Sequence, residues 1–139
     1  MEKEDAALAT AKDSSPKTGV RTIWTEGSRQ DNGRVGAAWA WKETNRWTSR
    51  RAHLGNNKEV YDAEVYAICM ALKTFEEQQS PTTRKLTVFS DSQSAVDRIK
   101  SDTLGQGQAW AKASITVATR LASLGYKITV RWTPAHAGV

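Results

Sequence analysis

The sequence has few of the features that define secreted or membrane proteins. It contains a single cysteine, Cys69, so no disulfide can form within the chain and a reducing compartment is the simplest expectation. No apolar run approaches the ~20 residues that a membrane-spanning helix needs. The first residues also lack the charged-then-apolar pattern of a secretion signal. These absences predict an intracellular protein, cytoplasmic or nuclear, without a membrane partner.

The residues that are present indicate one globular domain with a basic surface. A chain of 139 residues with 39% hydrophobic residues is long enough for one buried core. The formal net charge of +5 favours a polyanionic partner, although many basic proteins bind none. Six tryptophans are many for this length, and such residues pack in cores or interfaces more often than they stack on bases.

Hydrophobic spacing predicts the element order β-β-β-α-β-α-α-β. Strands are expected over residues 20–25, 35–41, 47–54, 85–89 and 126–133, and helices over 60–75, 94–99 and 108–124. Gly27-Ser28 and Asp31-Asn32-Gly33 are expected to form turns, and Gly125 to cap the last helix. Residues 1–19 are expected to be a flexible tail with a frayed helical turn at most over 6–11, and residues 20–139 to form the domain. Three successive strands followed by helical crossovers predict a mixed five-stranded α/β sheet flanked by helices.

Three acidic residues fall at the edges of these predicted elements. Glu26 ends the first strand, Glu64 lies near the start of the long helix, and Asp91 follows the fourth strand. Ligands of such sheets collect beyond the carboxyl ends of the strands, so the three carboxylates are expected to converge there. Converging carboxylates suit Mg²⁺ or Mn²⁺, and two such ions about 3.5–4 Å apart can cleave a phosphodiester.

Each of these acidic residues also has an ordinary structural explanation. Glu64 could complement the dipole of its helix, Asp91 could cap the helix that follows it, and Glu26 could be a turn residue. Each explanation is the better one for its residue taken alone. Their joint placement in this order of elements is what favours a metal site.

Four short segments carry a resemblance to a known family. The chain resembles the ribonuclease H family from about residue 20 to residue 139, and it is most similar to the domains of fungal non-long-terminal-repeat retrotransposon reverse transcriptases. The segments are Thr25-Glu26-Gly27-Ser28, Tyr61-Asp62-Ala63-Glu64, Ser90-Asp91-Ser92-Gln93 and Pro134-Ala135-His136-Ala137-Gly138-Val139. The resemblance implies a ribonuclease H-like fold and a retrotransposon-derived endonuclease that uses two Mg²⁺ or Mn²⁺ ions to hydrolyse the RNA strand of an RNA–DNA hybrid.

The resemblance also implies roles for individual residues. Glu64 and Asp91, with Glu26 in the first segment, would be catalytic metal ligands, and His136 would assist proton transfer or product release. Three further residues would approach the nucleic-acid backbone and bind substrate: Gly27, Ser28 and Gln93. The family has aspartate where this chain has Glu26, and the sequence stops at Val139, before the family's fourth carboxylate and C-terminal helix.

These two departures leave other functions open. The domain could be a catalytically degenerate module that binds nucleic acid or protein, or the fold could serve a small-molecule enzyme that uses Glu64, Asp91 and His136. Four basic side chains on or near the third strand could contact phosphates or could simply protect a sheet edge: Arg46, Arg50, Arg51 and His53. Without the last helix, an apolar patch that includes Trp39, Trp41 and Trp132 is expected to be exposed and to mediate a homodimer or another protein contact.

Overall fold

The computed structural model of the chain describes residues 19–56, 60–78, 82–101 and 108–134. The strands are β1 (Val20–Arg29), β2 (Arg34–Glu43), β3 (Arg46–Asn56), β4 (Lys85–Ser90) and β5 (Lys127–Trp132), and the helices are α1 (Val60–Glu77), α2 (Gln93–Ser101) and α3 (Gln108–Ser123). This is the predicted order of elements. Of the predicted tail at residues 1–19, residues 1–18 lie outside the described residues.

The five strands form one mixed sheet in the order β3-β2-β1-β4-β5. β1 pairs antiparallel with β2, and β2 with β3, whereas β4 lies parallel to both β1 and β5. The predicted meander and parallel strands are therefore confirmed. Two predicted glycine positions are confirmed as well, since Gly33 and Gly125 adopt φ values of 86° and 96° in the turn after β1 and at the end of α3, where other residues would be strained.

The two faces of the sheet have different neighbours, because successive side chains of a strand point to opposite faces. On the helix face, Ile23, Trp39, Trp41 and Val88 are at most 3% exposed and belong to one core with side chains of α1, α2 and α3. The second face carries the alternate residues. They are Trp24, Glu26 and Ser28 of β1, Ala38 and Ala40 of β2, Ser49, Arg51 and His53 of β3, and Phe89 of β4.

The expected turn at Gly27-Ser28 is wrong. β1 continues to Arg29, because Gly27 and Ser28 pair with Ala37 and Gly36 of β2. Glu26 therefore lies within a strand rather than at its end. The break in apolar pattern after Thr25 marks the point where β1 extends past the end of β4, not the point where the strand stops.

The expected exposed tryptophan patch is also wrong. Trp39 and Trp41 are 3% and 1% exposed, because the alternation of β2 places both on the helix face, and Trp132 is partly buried against the same core. There the indole N–H of Trp39 donates a hydrogen bond to Thr74 Oγ1 of α1 at 2.9 Å. Association with a second copy or a partner remains a prediction, without these residues as its basis. No helix of the described part of the chain is long and apolar enough to cross a membrane.

Candidate active site

β1 and α1 approach each other closely at Gly27. A Cβ added at Gly27 would lie 2.9 Å from Ala63 Cβ and 2.9 Å from the backbone N of Glu64, which is closer than carbon and nitrogen atoms pack without strain. Only glycine fits at this crossing. The close approach also lets the backbone N–H of Gly27 donate a hydrogen bond to the Glu64 carboxylate.

Asp91 follows directly on the last residue of β4, and three hydrogen bonds hold the backbone at and next to it. Ser90 Oγ accepts a hydrogen bond from Ser92 N–H at 3.1 Å, and the Trp132 indole donates to the Asp91 carbonyl oxygen at 3.3 Å. Ser92 Oγ accepts from Ala95 N–H at 3.2 Å, so Ser92 is the N-cap of α2. The capping explanation of Asp91 is therefore wrong, and its carboxylate is available for another role.

Glu64 lies beside Asp91 and is almost completely buried. Its side chain is 6% exposed, and it is the fifth residue of α1, beyond the first turn in which a helix dipole attracts a carboxylate. Burial, followed by the neighbouring charge of Asp91, raises the pKa of Glu64 from 4.5 to about 8. Its Oε2 atom has no hydrogen-bond partner, a costly arrangement for a buried oxygen.

Glu26 lines the same cavity as Asp91 but affects Glu64 less than Asp91 does. Its side chain is exposed on the second face, and its charge makes the smallest of the contributions that raise the pKa of Glu64. Within the described ranges, no three histidine, cysteine or acidic side chains form a group that could hold a metal ion. The described site is therefore a carboxylate pair, Glu64 and Asp91, with Glu26 within electrostatic range.

The other residues predicted for the site lie in different settings. Ser28 and Gln93 are exposed, on the second face of β1 and at the first residue of α2, and both can reach a ligand outside the domain. Gly27 is half-buried against α1. His136 lies outside the described residues, so its predicted role stays a prediction.

The basic residues of β3 are divided between the two faces. Arg50 lies on the helix face, where its Nη1 is 3.1 Å from Glu77 Oε2 and its guanidinium stands over Trp41. Arg51 and His53 lie on the second face and line a cavity of about 410 Å³ that also reaches Glu26. Sequence alone could not separate Arg50 from Arg51.

The comparison with family models decides the identity of this domain. The model of the RNase H family matches residues 18–139, which include every described strand and helix. The chain belongs to the RNase H family. A search of curated protein sequences finds no significant match.

Solved structures show the same fold for this RNase H domain. The RNase H1 of the archaeon Halobacterium salinarum NRC-1 superposes with a TM-score of 0.63 at 14% identity, over 86% of this chain and 89% of that chain. The N-terminal RNase H domain of rv2228c from Mycobacterium tuberculosis superposes with a TM-score of 0.60 at 18% identity, over 83% of this chain and 87% of that chain. The predicted ribonuclease H-like fold is therefore confirmed.

Two residues that position the RNase H site were not found from the sequence. Trp132 was interpreted as a core or patch residue, but its indole N–H holds the Asp91 backbone. Thr25 was placed in the first strand and in the first resemblance segment without a role of its own, but its Oγ1 donates to the Phe89 carbonyl oxygen at 2.9 Å and ties β1 to β4 beside the site. Both contacts join residues far apart in sequence, so no local pattern indicates them.

Proposed function

We propose that this domain hydrolyses the RNA strand of RNA–DNA hybrids and that it requires Mg²⁺ or Mn²⁺ to do so. The observation that carries the proposal is the pair formed by Glu64 and Asp91, in which a buried carboxyl lies beside a second one and keeps one oxygen without a partner. Two acidic side chains placed together in this way are stable only if one is protonated or a cation lies between them. Membership of the RNase H family supports the second explanation.

The donor atoms of the pair suit a hard cation. Mg²⁺ in phosphoryl-transfer sites is usually held by one or two carboxylates, water and substrate phosphate oxygens, and Glu64 and Asp91 supply the carboxylates. Glu26 would be the third ligand. When bound, the ions would activate a water molecule and neutralise charge on the phosphodiester.

The protein's own groups hold this arrangement ready for substrate. The Gly27 N–H fixes one oxygen of Glu64 and leaves the other unpaired. The Asp91 backbone is anchored by Trp132, which keeps this residue next to Glu64. Ser28 and Gln93, both exposed, would donate hydrogen bonds to the sugar-phosphate backbone. His136 would assist proton transfer or product release.

Glu26 is expected to weaken the reaction with Mg²⁺. Its extra methylene, compared with the aspartate that the family resemblance implies, moves the carboxylate by about 1 Å, and a metal site tolerates only about 0.5 Å. Mn²⁺ is expected to support more activity than Mg²⁺, whose octahedral ligation is the more demanding. For the same reason, Glu26→Asp is expected to raise the rate with Mg²⁺.

The test is a cleavage assay on matched duplexes in Mg²⁺, in Mn²⁺ and in chelator. The substrates are one RNA–DNA hybrid labelled on either strand, the corresponding RNA duplex and the corresponding DNA duplex. We expect the RNA strand to be cut only in the hybrid and only when metal is present. In Mg²⁺, Glu26→Asp should cut more RNA than the natural sequence does. If neither protein cuts in either metal, the enzymatic proposal fails.

A second candidate function is a binding module that has kept the fold. It is favoured by the exposed position of Glu26 and by the lack of a three-residue metal group among the described residues. Binding of the hybrid without cleavage in either metal would support it. Small-molecule catalysis is less favoured, because the cavity beside Asp91 holds about 280 Å³, slightly less than most drug-sized sites. Retrotransposon descent and an intracellular location belong to the proposal as well.

A further inference from the structure

Two rows of side chains cross β1, β2 and β3 on the second face of the sheet. The first row joins Glu26, Ala38 and Arg51, which are register partners across the three strands. The second joins Ser28, Gly36 and His53 in the same way. In the first row the middle strand contributes only the small side chain of Ala38, and in the second row Gly36 contributes no side chain. The two rows therefore form a trough between β1 and β3.

The trough is a defined cavity with a basic wall. Its volume is about 410 Å³, and its lining includes Ser28, Gln30, Arg34, Arg51 and His53. Gly36 keeps the floor clear, since a Cβ added there would lie 3.3 Å from the Ala52 carbonyl oxygen. Glu26 is the acidic residue of the lining, and it lies at the end of the trough nearest the carboxylate pair.

The arginines of the trough differ from three other arginines of the described residues in their partners. Arg21, Arg50 and Arg120 each form an ion pair with a glutamate. In the part of the chain that the structure describes, neither Arg34 nor Arg51 has an acidic partner within ion-pair distance. Two cationic side chains in a concave surface, beside hydroxyl and amide groups, provide the chemistry that binds a phosphate group.

We propose that this trough binds the phosphate backbone of a nucleic-acid strand next to the site of cleavage. The inference rests on the proposed nucleic-acid substrate and adds where one strand runs. Arg51 is two strands from Glu26, which corresponds to about 10 Å between their backbones. A strand bound at Glu26, at the end of the trough, would therefore place one of its next phosphates within reach of Arg51. Arg34 and Arg51 are the principal contacts.

Arg50 provides a matched control for Arg51. The two residues are adjacent, both are exposed, and both lose one positive charge on mutation to alanine, but they lie on opposite faces of β3. The experiment measures binding of a labelled RNA–DNA hybrid to the full chain in chelator, so that no cleavage occurs, over a series of salt concentrations. Thermal unfolding of each variant checks that the fold is kept.

We expect Arg51→Ala to weaken hybrid binding several-fold and to lower the salt slope of log Kd by about one, the loss of one phosphate contact. Arg50→Ala should leave the slope unchanged. Ala38→Leu fills the floor of the trough without a change of charge, and it should weaken binding as well.

Two results separate this inference from the proposed function. Equal slopes for Arg50→Ala and Arg51→Ala, or unchanged binding by Ala38→Leu in a folded protein, would overturn the trough as a binding site, whether or not the domain cleaves hybrids. A lower slope for Arg51→Ala in a protein that cuts no hybrid would support the trough and contradict the proposed hydrolysis.

Discussion

Glu64→Gln should stabilise the metal-free protein at high pH. The folded protein holds Glu64 protonated up to a pKa of about 8, whereas the unfolded chain ionises it near 4.5. Below pH 4.5 the group is neutral in both states and has no effect on stability. As pH rises from 4.5 to 8, only the unfolded chain loses the proton, so the free energy of unfolding falls across this window.

The size of the effect follows from the same shift. A rise of the Glu64 pKa from 4.5 to about 8 corresponds to a loss of at most about 5 kcal/mol in the free energy of unfolding above pH 8. Glutamine has the same shape and stays neutral, and its side-chain oxygen can still accept the hydrogen bond of Gly27. Recovery of only about 2 kcal/mol would raise Tm by about 6–10 °C in a domain of this size.

Thermal unfolding in chelator at pH 5 and pH 9 measures this difference. The control is Glu77→Gln, an exposed carboxylate of the same helix whose side chain is 62% exposed and paired with Arg50, and it should shift Tm by little at either pH. If Glu64→Gln changes Tm by the same amount at both pH values, burial and Asp91 do not raise the pKa of Glu64 and the description of the pair is wrong.

Three further predictions concern the metal, the β1–α1 crossing and the core. Addition of Mg²⁺ at pH 8 should raise the Tm of the natural sequence because the ion binds only the folded state, and Asp91→Asn should remove most of that rise in the same thermal scan. Gly27→Ala should cost about 1–3 kcal/mol in urea unfolding, because its Cβ would lie 2.9 Å from Ala63 Cβ. Thr74→Val should cost about 1–3 kcal/mol in the same measurement, because it leaves the buried indole N–H of Trp39 without its acceptor.

The sequence predicted the order of elements and the sheet because hydrophobic spacing and turn residues are local signals. The spacing of apolar residues in α1 and the alternation of side-chain direction along β2 determine which side chains share a face. They therefore determine which side chains are buried, whichever element packs against that face. Strand ends were predicted less well. β1 runs past Gly27 because β2 pairs with it there, and a glycine required by a helix crossing has the same local appearance as one in a turn.

The site was predicted in part. Glu64 and Asp91 were placed together because the ends of parallel strands and the helices after them share one edge of the sheet. The position of Glu26 depended on where β1 ends, so its exposed position on the second face was not foreseen. The different surroundings of Arg50 and Arg51 follow from the strand register, which a sequence pattern without a known pairing partner does not give.

Cleavage of an RNA–DNA hybrid by Asp91→Asn, compared with Asp97→Asn, tests the central claim most directly. Each substitution removes one carboxylate, and the two positions are close in the sequence. Asp97, however, is an exposed residue of α2, whereas Asp91 adjoins Glu64. We predict that metal-dependent cutting of the RNA strand is lost in Asp91→Asn and retained in Asp97→Asn, with both proteins folded. Cleavage that survives in Asp91→Asn would contradict the assignment of the Glu64 and Asp91 pair as the catalytic site.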